Sequence, residues 1–308
     1  MDNKWKKLLL IYNAKAGIGN QNIDFIDALE LLAKNYYEVT VYPICPEYGI
    51  TSESILERTG KKFNLAMICG GDGTLNHAVN GLLKNQIKMP IGYLPVGSTN
   101  DFSKSLYGKG NHSIIDVCQW IMNGKTFCFD SGKFNERYFN YVAGFGDFPM
   151  VSFTTPQNLK NTFGYAAYIL NFLGSIPDGL SYCKHCHIVH DGIEEDGDFM
   201  FGLFTNSIQV AGMQPGLIKS SSLNDGVFEA TLVRANLNPI EIADTLHALN
   251  SNDPNSDHVI TFEFKNATFQ FDDAVPWTLD GEDGGITDHV EINVIPHAVN
   301  VFVPDGEE

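Results

Sequence analysis

An apolar run, Leu65-Ala66-Met67-Ile68-Cys69, ends on Gly70-Gly71-Asp72-Gly73-Thr74, and a helical pattern follows from Leu75 to Leu83. A strand, a glycine turn and a helix start together bring backbone close to phosphate oxygens. Glycines permit positive φ and carry no Cβ to obstruct a ligand. The helix N-terminus adds unpaired N–H groups and about half a positive charge. An aspartate inside such a turn would repel bare phosphate. It fits a nucleoside triphosphate whose charge is met by Mg²⁺ or by a hydrogen-bonding network. Alone, the five residues are also an ordinary tight turn, so the surrounding pattern has to decide.

That pattern alternates. Strand candidates fall at Lys7 to Tyr12, Tyr37 to Tyr42, Leu65 to Cys69 and Met89 to Leu94. Between them lie helical spacings over Asn22 to Leu32, Ile50 to Thr59 and the segment after Thr74. Alternating β and α units predict a parallel sheet wound by helices, with ligands at the carboxyl ends of its strands. Two more glycine-bearing turns fall at such ends: Asn13-Ala14-Lys15-Ala16-Gly17-Ile18-Gly19 and Pro95-Val96-Gly97-Ser98-Thr99-Asn100-Asp101. Three loops meeting at one sheet edge constrain function far more than one.

After about residue 130 strand patterns dominate: Tyr138 to Val142, Ser181 to Val189, Phe199 to Thr205, Val227 to Val233, Val259 to Phe264, Ala267 to Phe271 and Val290 to Ile295. Helical candidates there are Phe163 to Leu173 and Pro239 to Leu249, and Glu194-Glu195-Asp196 reads as a solvated hairpin turn. A second, mainly antiparallel β domain is expected. The domains are placed at 1–132, with the tail 298–308, and at 133–297.

Charge excludes some partners. The formal net charge is −17; residues 1–109 carry 12 basic and 10 acidic side chains, residues 110–308 carry 8 and 27. An acidic body argues against nucleic acid and against purely electrostatic docking on anionic lipid. No apolar run approaches the roughly 20 residues of a membrane-spanning helix, and a cytoplasmic protein is expected. Six scattered cysteines suit reduced usage. Cys183-Lys184-His185-Cys186-His187 has the spacing of a haem attachment or half a zinc site. On a strand, however, Cys183 and Cys186 would face opposite sides, and a plain strand is the reading taken.

Read together, the loops resemble a family. Gly-Gly-Asp-Gly-Thr at 70–74, Gly-Ser-Thr-Asn-Asp-Phe at 97–102, Asn-Asp-Gly-Val-Phe at 224–228 and Asp-Gly-Glu at 280–282 stand in the order found in bacterial diacylglycerol kinases. The wider lipid kinases of sphingosine and ceramide look similar. Asn13 to Gly17 resembles the group's first phosphate loop, and Gly164-Tyr165-Ala166-Ala167-Tyr168 a helix of its second domain. The resemblance implies an α/β fold: an N-terminal doubly wound parallel-sheet nucleotide-binding domain, a C-terminal antiparallel β-sandwich, and an active site between them. It implies ATP and Mg²⁺ as cofactors, a lipid alcohol as substrate partner and peripheral membrane contact. A homodimer is a further expectation.

The resemblance also implies roles. Asn13, Lys15, Gly17, Gly70, Gly71, Gly73, Thr74, Gly97, Ser98, Thr99, Asn100 and Asp101 would surround the nucleotide. Asp72 would engage the catalytic Mg²⁺, and Asp130 would join its metal–water network. Asp225, with the backbone carbonyls of Ser222 and Val227, would hold a second, structural Mg²⁺. In-line phosphoryl transfer needs charge neutralisation, alignment and a proton acceptor. Asp280 and Glu282, two apart, would point the same way on a strand; Asp280 is assigned as base and Glu282 as its partner. Asp280-Gly281 and Asp283-Gly284 are also hairpin signals.

Departures from the family pattern are His77 in place of a usual Glu, Ala14 in place of Pro, Ser98 in place of Thr, and a first helix, Gln21 to Glu30, without Lys or Arg. Three alternatives stand beside the diacylglycerol kinase: another lipid kinase acting on a sphingoid or polyprenol alcohol, an NAD kinase, which shares the Gly-Gly-Asp-Gly-Thr loop, and a nucleotide- or lipid-binding pseudokinase.

Overall fold

The computed structural model describes residues 5–14, 25–97, 100–108, 110, 112–146, 182–206, 222–251 and 256–305. The chain divides into two compact units, Met1–Phe129 with His297–Glu308, and Asp130–Pro296.

In the first unit, β1 (Lys6–Tyr12), β2 (Tyr37–Pro43), β3 (Leu65–Gly70) and β4 (Ile91–Pro95) run parallel in the order β2-β1-β3-β4. Leu8 pairs with both Val39 and Leu65, which fixes the central register. A fifth strand arrives from the far end of the chain: Val301 of β13 (Glu282–Phe302) pairs parallel with Ile91. Leu8 to Ile11 and Leu65 to Cys69 are buried throughout, so they read as continuous apolar runs rather than alternating ones. Leu8, Leu10, Met67 and Cys69 share a core with Ala28 and Leu32 of α1 (Phe25–Lys34) and with Val117 and Ile121 of α5 (Ile114–Asn123). The strand residues between them, such as Leu9 and Ile68, point to the other face by the period of two. There α2 (Ser52–Thr59) packs on α3 (Asp72–Lys84), and α3 packs on β3. Helix α4 (Asp101–Tyr107) follows β4.

Local signals set these ends. Thr51 and Ser54 form a capping box on α2, Ser113 and Asp116 one on α5, and α5 stops at Gly124 in the left-handed conformation. Helix α1 runs from Phe25 to Lys34, so the Asn22 start of the sequence reading falls outside the described residues.

The second unit is antiparallel. Chain connectivity enters it along β5 (Thr126–Phe134), then β6 (Arg137–Phe139) and β7 (Val142–Phe145). β8 (Lys184–His190), β9 (Ile193–Thr205), β10 (Phe228–Arg234), helix α6 (Pro239–Ser251), β11 (Val259–Phe264), β12 (Asn266–Leu279) and β13 complete it. The pairing order is β11-β10-β9-β7-β12-β13. Long β9 and β12 hold two short strands end to end between them: β8 along their first halves, β7 along their last residues. Their inward faces bury Trp277 among Phe134, Phe145, Phe204, Phe269 and Phe271.

Two sequence expectations change here. Tyr138 to Val142 is not one strand: β6 and β7 are interrupted at Asn140 and Tyr141, whose N–H groups go to a side chain. Glu194 to Asp196 is not a turn but part of β9, facing β8; the turn is Asp191-Gly192, with φ of 47° and 87°. Helix α5 and strand β5 were absent from the sequence reading. The expected helix Phe163 to Leu173 lies outside the described residues. Cys186 is buried, and its thiol is pushed up to about 12 by burial, while His185 and His187 beside it are exposed. Among the described residues no three His, Cys, Asp or Glu side chains gather as a metal cage.

Candidate active site

In the first unit the carboxyl ends of β1, β3 and β4 carry the glycine loops. Asp72 opens α3 directly after Gly71, which sits at the N-cap with φ −86°. The Asp72 side chain is buried. Its Oδ2 accepts the Asp101 N–H at 2.9 Å, and its Oδ1 accepts the Tyr93 hydroxyl at 3.4 Å. One carboxylate therefore joins the start of α3 to the start of α4 and to β4. Burial and the neighbouring Asp72 charge push the Tyr93 hydroxyl far above the usual phenol range, so Tyr93 is a fixed donor. Asp101, also buried, pairs with Lys104 at 2.9 Å.

The glycines serve a different purpose from the one their sequence suggests. Gly71 has negative φ and Gly73 lies in the first helical turn. What demands glycine is close approach. A Cβ on Gly97 would lie 2.6 Å from the Gly71 Cα and 2.7 Å from Asn100 Oδ1, and one on Gly70 would lie 2.4 Å from the Thr74 side chain. The residue that does take positive φ is Asn100, at 49°, a role asparagine tolerates. Its amide clasps Gly97 on both sides: Gly97 N–H donates to Oδ1 at 2.9 Å, and Nδ2 donates to Gly97 O at 2.8 Å. Asn13 Nδ2 donates to Thr74 Oγ1 at 3.3 Å, which brings the first loop to the second. Lys15, Gly17, Ser98 and Thr99 lie outside the described residues. His77 faces Glu53 of α2, Nδ1 to Oε2 3.7 Å.

A cavity of about 450 Å³ lined by Trp5, Lys6, Tyr37, Pro90, Ile121 and Phe302 lies at the amino ends of the strands, away from these loops. It is not part of the site.

The second unit holds the remaining candidates. Asp280 and Gly281 are the two central residues of the β12–β13 hairpin, with φ of 51° and 82°. The expectation that Asp280 and Glu282 share a strand face fails, because Asp280 sits in the turn. Asp280 is buried and Glu282 exposed. The Asp280 carboxylate accepts three backbone N–H groups: Asn140 at 2.7 Å, Tyr141 at 3.0 Å and Val142 at 3.1 Å. The second signal, Asp283-Gly284, makes a bulge opposite Trp277 and Thr278 rather than a hairpin.

Asp130 is fully buried in β5; its Oδ2 accepts the Gly226 N–H at 2.6 Å, and its N–H donates to Leu223 O at 2.7 Å. Asp225 accepts the N–H groups of Ser222 at 3.1 Å and Val227 at 3.2 Å. The sequence reading put Asp130 and Asp225 in separate metal groups; in the structure one loop, Ser222 to Val227, engages both. Nearby on β10, burial and the charges of Asp225 and Glu263 push the Glu229 carboxyl up to about 8.

Sequence reasoning missed Tyr93, Asn140 and Asn206. Asn206 Nδ2 donates to Asp130 O at 2.9 Å. The available signal was a lone amide beside an apolar run: Phe139-Asn140-Tyr141, and Asn206 closing Phe199 to Thr205.

Residues 7–134 match the model of the diacylglycerol kinase catalytic domain. A diacylglycerol kinase of Bacillus subtilis (strain 168) is 29% identical over 300 residues, covering 97% of each chain. One of Staphylococcus epidermidis is 30% identical over 305 residues, covering 97% of this chain and 92% of the relative. The crystal structure of a diacylglycerol kinase from Bacillus anthracis superposes with a TM-score of 0.76 at 21% identity, covering 98% of both chains, a likeness of fold. Among the described residues no helix is long and apolar enough to cross a membrane.

Proposed function

The chain belongs to the diacylglycerol kinase catalytic-domain family and is a lipid kinase, and from that premise we propose that it transfers the γ-phosphoryl group of ATP to the free hydroxyl of diacylglycerol, giving phosphatidic acid and ADP. The hydroxyl oxygen forms the new P–O bond, the bond to the β–γ bridging oxygen breaks, and the hydroxyl proton passes to a carboxylate. Our reading of the fold is a doubly wound nucleotide-binding unit followed by a β-sandwich unit.

The observation that carries this reading is the buried Asp72 carboxylate at the carboxyl edge of the parallel sheet, held by the first N–H of α4. Gly71 leaves α3 without a side-chain cap, so the amides of its first turn can meet phosphate oxygens. Asp72 and Asp101 would hold Mg²⁺ with water and phosphate oxygens. Such a donor set suits Mg²⁺, which keeps several waters and uses one or two carboxylates rather than a cage. The ion supplies charge neutralisation when bound. Asn13, Thr74 and the Gly97–Asn100 clasp orient the phosphates. Asp130 and the Ser222–Val227 loop with Asp225 would hold the second Mg²⁺.

For the proton acceptor, the hydrogen bonding of Asp280 supports a reading in which Glu282 takes that role. Three amides occupy the Asp280 carboxylate, which makes it an anchor of the turn. Glu282, exposed one residue beyond Gly281, is the proton acceptor. The lipid reaches the site by peripheral contact with a membrane surface. The segments Phe148 to Phe153 and Phe163 to Phe172, candidates for an acyl-chain groove, fall outside the described residues.

Labelled ATP, Mg²⁺ and vesicles carrying diacylglycerol, a sphingoid base or a polyprenol test the reading, with NAD in a parallel reaction. Label should enter phosphatidic acid. Label in NADP and in no lipid would replace the lipid acceptor. Asp72→Asn should abolish transfer while the folded far-UV spectrum persists; an active variant would remove Asp72 from the metal.

A further inference from the structure

We propose that Asn206 is a positioning residue for phosphoryl transfer: its amide ties the Asp130 strand to the segment that grips Asp280. The inference rests on the kinase reading, since it supposes that the Asp280 turn, which carries Glu282, and the Asp130 metal site serve one reaction.

Asn206 follows β9 and is fully buried. Its main-chain N–H donates to Tyr141 O at 3.0 Å. Its side-chain Nδ2 donates to Asp130 O at 2.9 Å, and lies 3.5 Å from Asn140 O. Asn206 thus holds Tyr141 through its backbone and Asp130 through its side chain. Each held residue leads to a carboxylate. The N–H groups of Asn140, Tyr141 and Val142 all end on Asp280. Asp130 ends on Gly226, inside the loop that Asp225 closes. Two acidic groups 150 positions apart in sequence therefore connect through one asparagine.

The chemistry of the residue argues that bracing the fold is not its purpose. Asn206 Oδ1 is buried with no hydrogen-bond partner among the described residues, and so is Asn140 Oδ1. A buried amide with an unmatched oxygen is an expensive brace, and an apolar side chain of like volume would pack at lower cost. What an apolar residue cannot do is fix the Asp130 backbone against Tyr141 in one geometry. Misplacing a reacting group by about 1 Å costs on the order of a hundredfold in rate.

The test compares wild type with Asn206→Ala, the milder Asn206→Ser, and Thr231→Val, a buried polar change in β10 outside the network. Hydrogen exchange is read at Asn140, Tyr141, Val142 and Gly226, and kcat and KM are read with diacylglycerol vesicles. In the Asn206 variants exchange at the four amides should rise together by about tenfold, while β11 amides keep their protection. In the same variants kcat should fall on the order of thirtyfold, with KM for ATP unchanged. Thr231→Val should lower the melting temperature without either effect. A folded Asn206 variant with wild-type kcat, or with lost kcat but unchanged exchange at the four amides, overturns the positioning role. A wild type that phosphorylates no lipid alcohol overturns the kinase reading and removes the reaction being positioned; the exchange data separate that failure from the first.

Discussion

Replacing Gly97 by alanine tests whether glycine is needed for close approach of two loops. The added Cβ would lie 2.6 Å from the Gly71 Cα and 2.7 Å from Asn100 Oδ1. Ordinary contact begins near 3.4 Å, so the loops must part by about 0.8 Å, a backbone shift that rotamer changes cannot absorb. Overpacking of this kind costs about 1–3 kcal/mol, which in a unit of this size lowers the melting temperature by about 4–10 °C. The shift also breaks the Asn100 clasp and drags the Asp101 N–H from Asp72. At roughly 1 Å of misplacement kcat/KM should fall about a hundredfold. Calorimetry and label transfer from ATP to diacylglycerol vesicles measure both effects. Gly192→Ala is the contrast: φ is +87° and nothing lies within 4 Å, so about 1–2 kcal/mol of left-handed strain should appear with no loss of turnover. A Gly97→Ala protein with wild-type melting and wild-type kcat/KM would refute the reasoning.

Three further outcomes are expected. Glu282→Gln should melt like the wild type yet lose turnover by about 10²–10⁴. Asp280→Ala, which strips three amides of their acceptor, should lose about 2–4 kcal/mol by chemical denaturation; full turnover in Glu282→Gln would return the base to Asp280. His185 has Nδ1 2.9 Å from Asp198 and Nε2 3.4 Å from Asp196, and the hydrogen bond to Asp198 raises its pKa. Since the folded value exceeds the unfolded one, its contribution is full below about pH 6.5 and fades as pH climbs through the raised value. An imidazole titration by NMR should show this midpoint above 6.5, and Asp198→Asn should lower it.

The first unit was largely legible because three of its strands, β1, β3 and β4, are buried on both faces over most of their length. Leu8 to Ile11 and Leu65 to Cys69 admit no other use, and the glycine loops follow at their carboxyl ends. Helix α5 could have been read from Ser113, Asp116 and Gly124, which mark both its ends. The second unit was less legible because tertiary contacts override local pattern there. Asn140 and Tyr141 sit in an apolar run that reads as one strand, yet a carboxylate 140 residues away takes the Asn140 N–H. Asp280 and Glu282 looked like strand neighbours because spacing carries no information about φ; the hairpin that Asp280-Gly281 also signalled is what forms. The acidic run Glu194 to Asp196 looked like a loop because the partner strand that sets His187 opposite Asp196 is a pairing no single segment displays. The close approach that requires glycine at positions 70 and 97 shows only in three dimensions.

The strand β13 runs from Glu282 to Phe302, and its last residues complete the sheet whose other members lie before residue 96. A ribosome that has released the first 129 residues has therefore not yet made the whole of that unit. The nascent amino-terminal half must wait, its β4 border unzipped, until Val301 has been added. A fragment cut after Phe129 would inherit the same deficit permanently, while a circular permutant that moves residues 297–305 ahead of β1 would let the half close during synthesis.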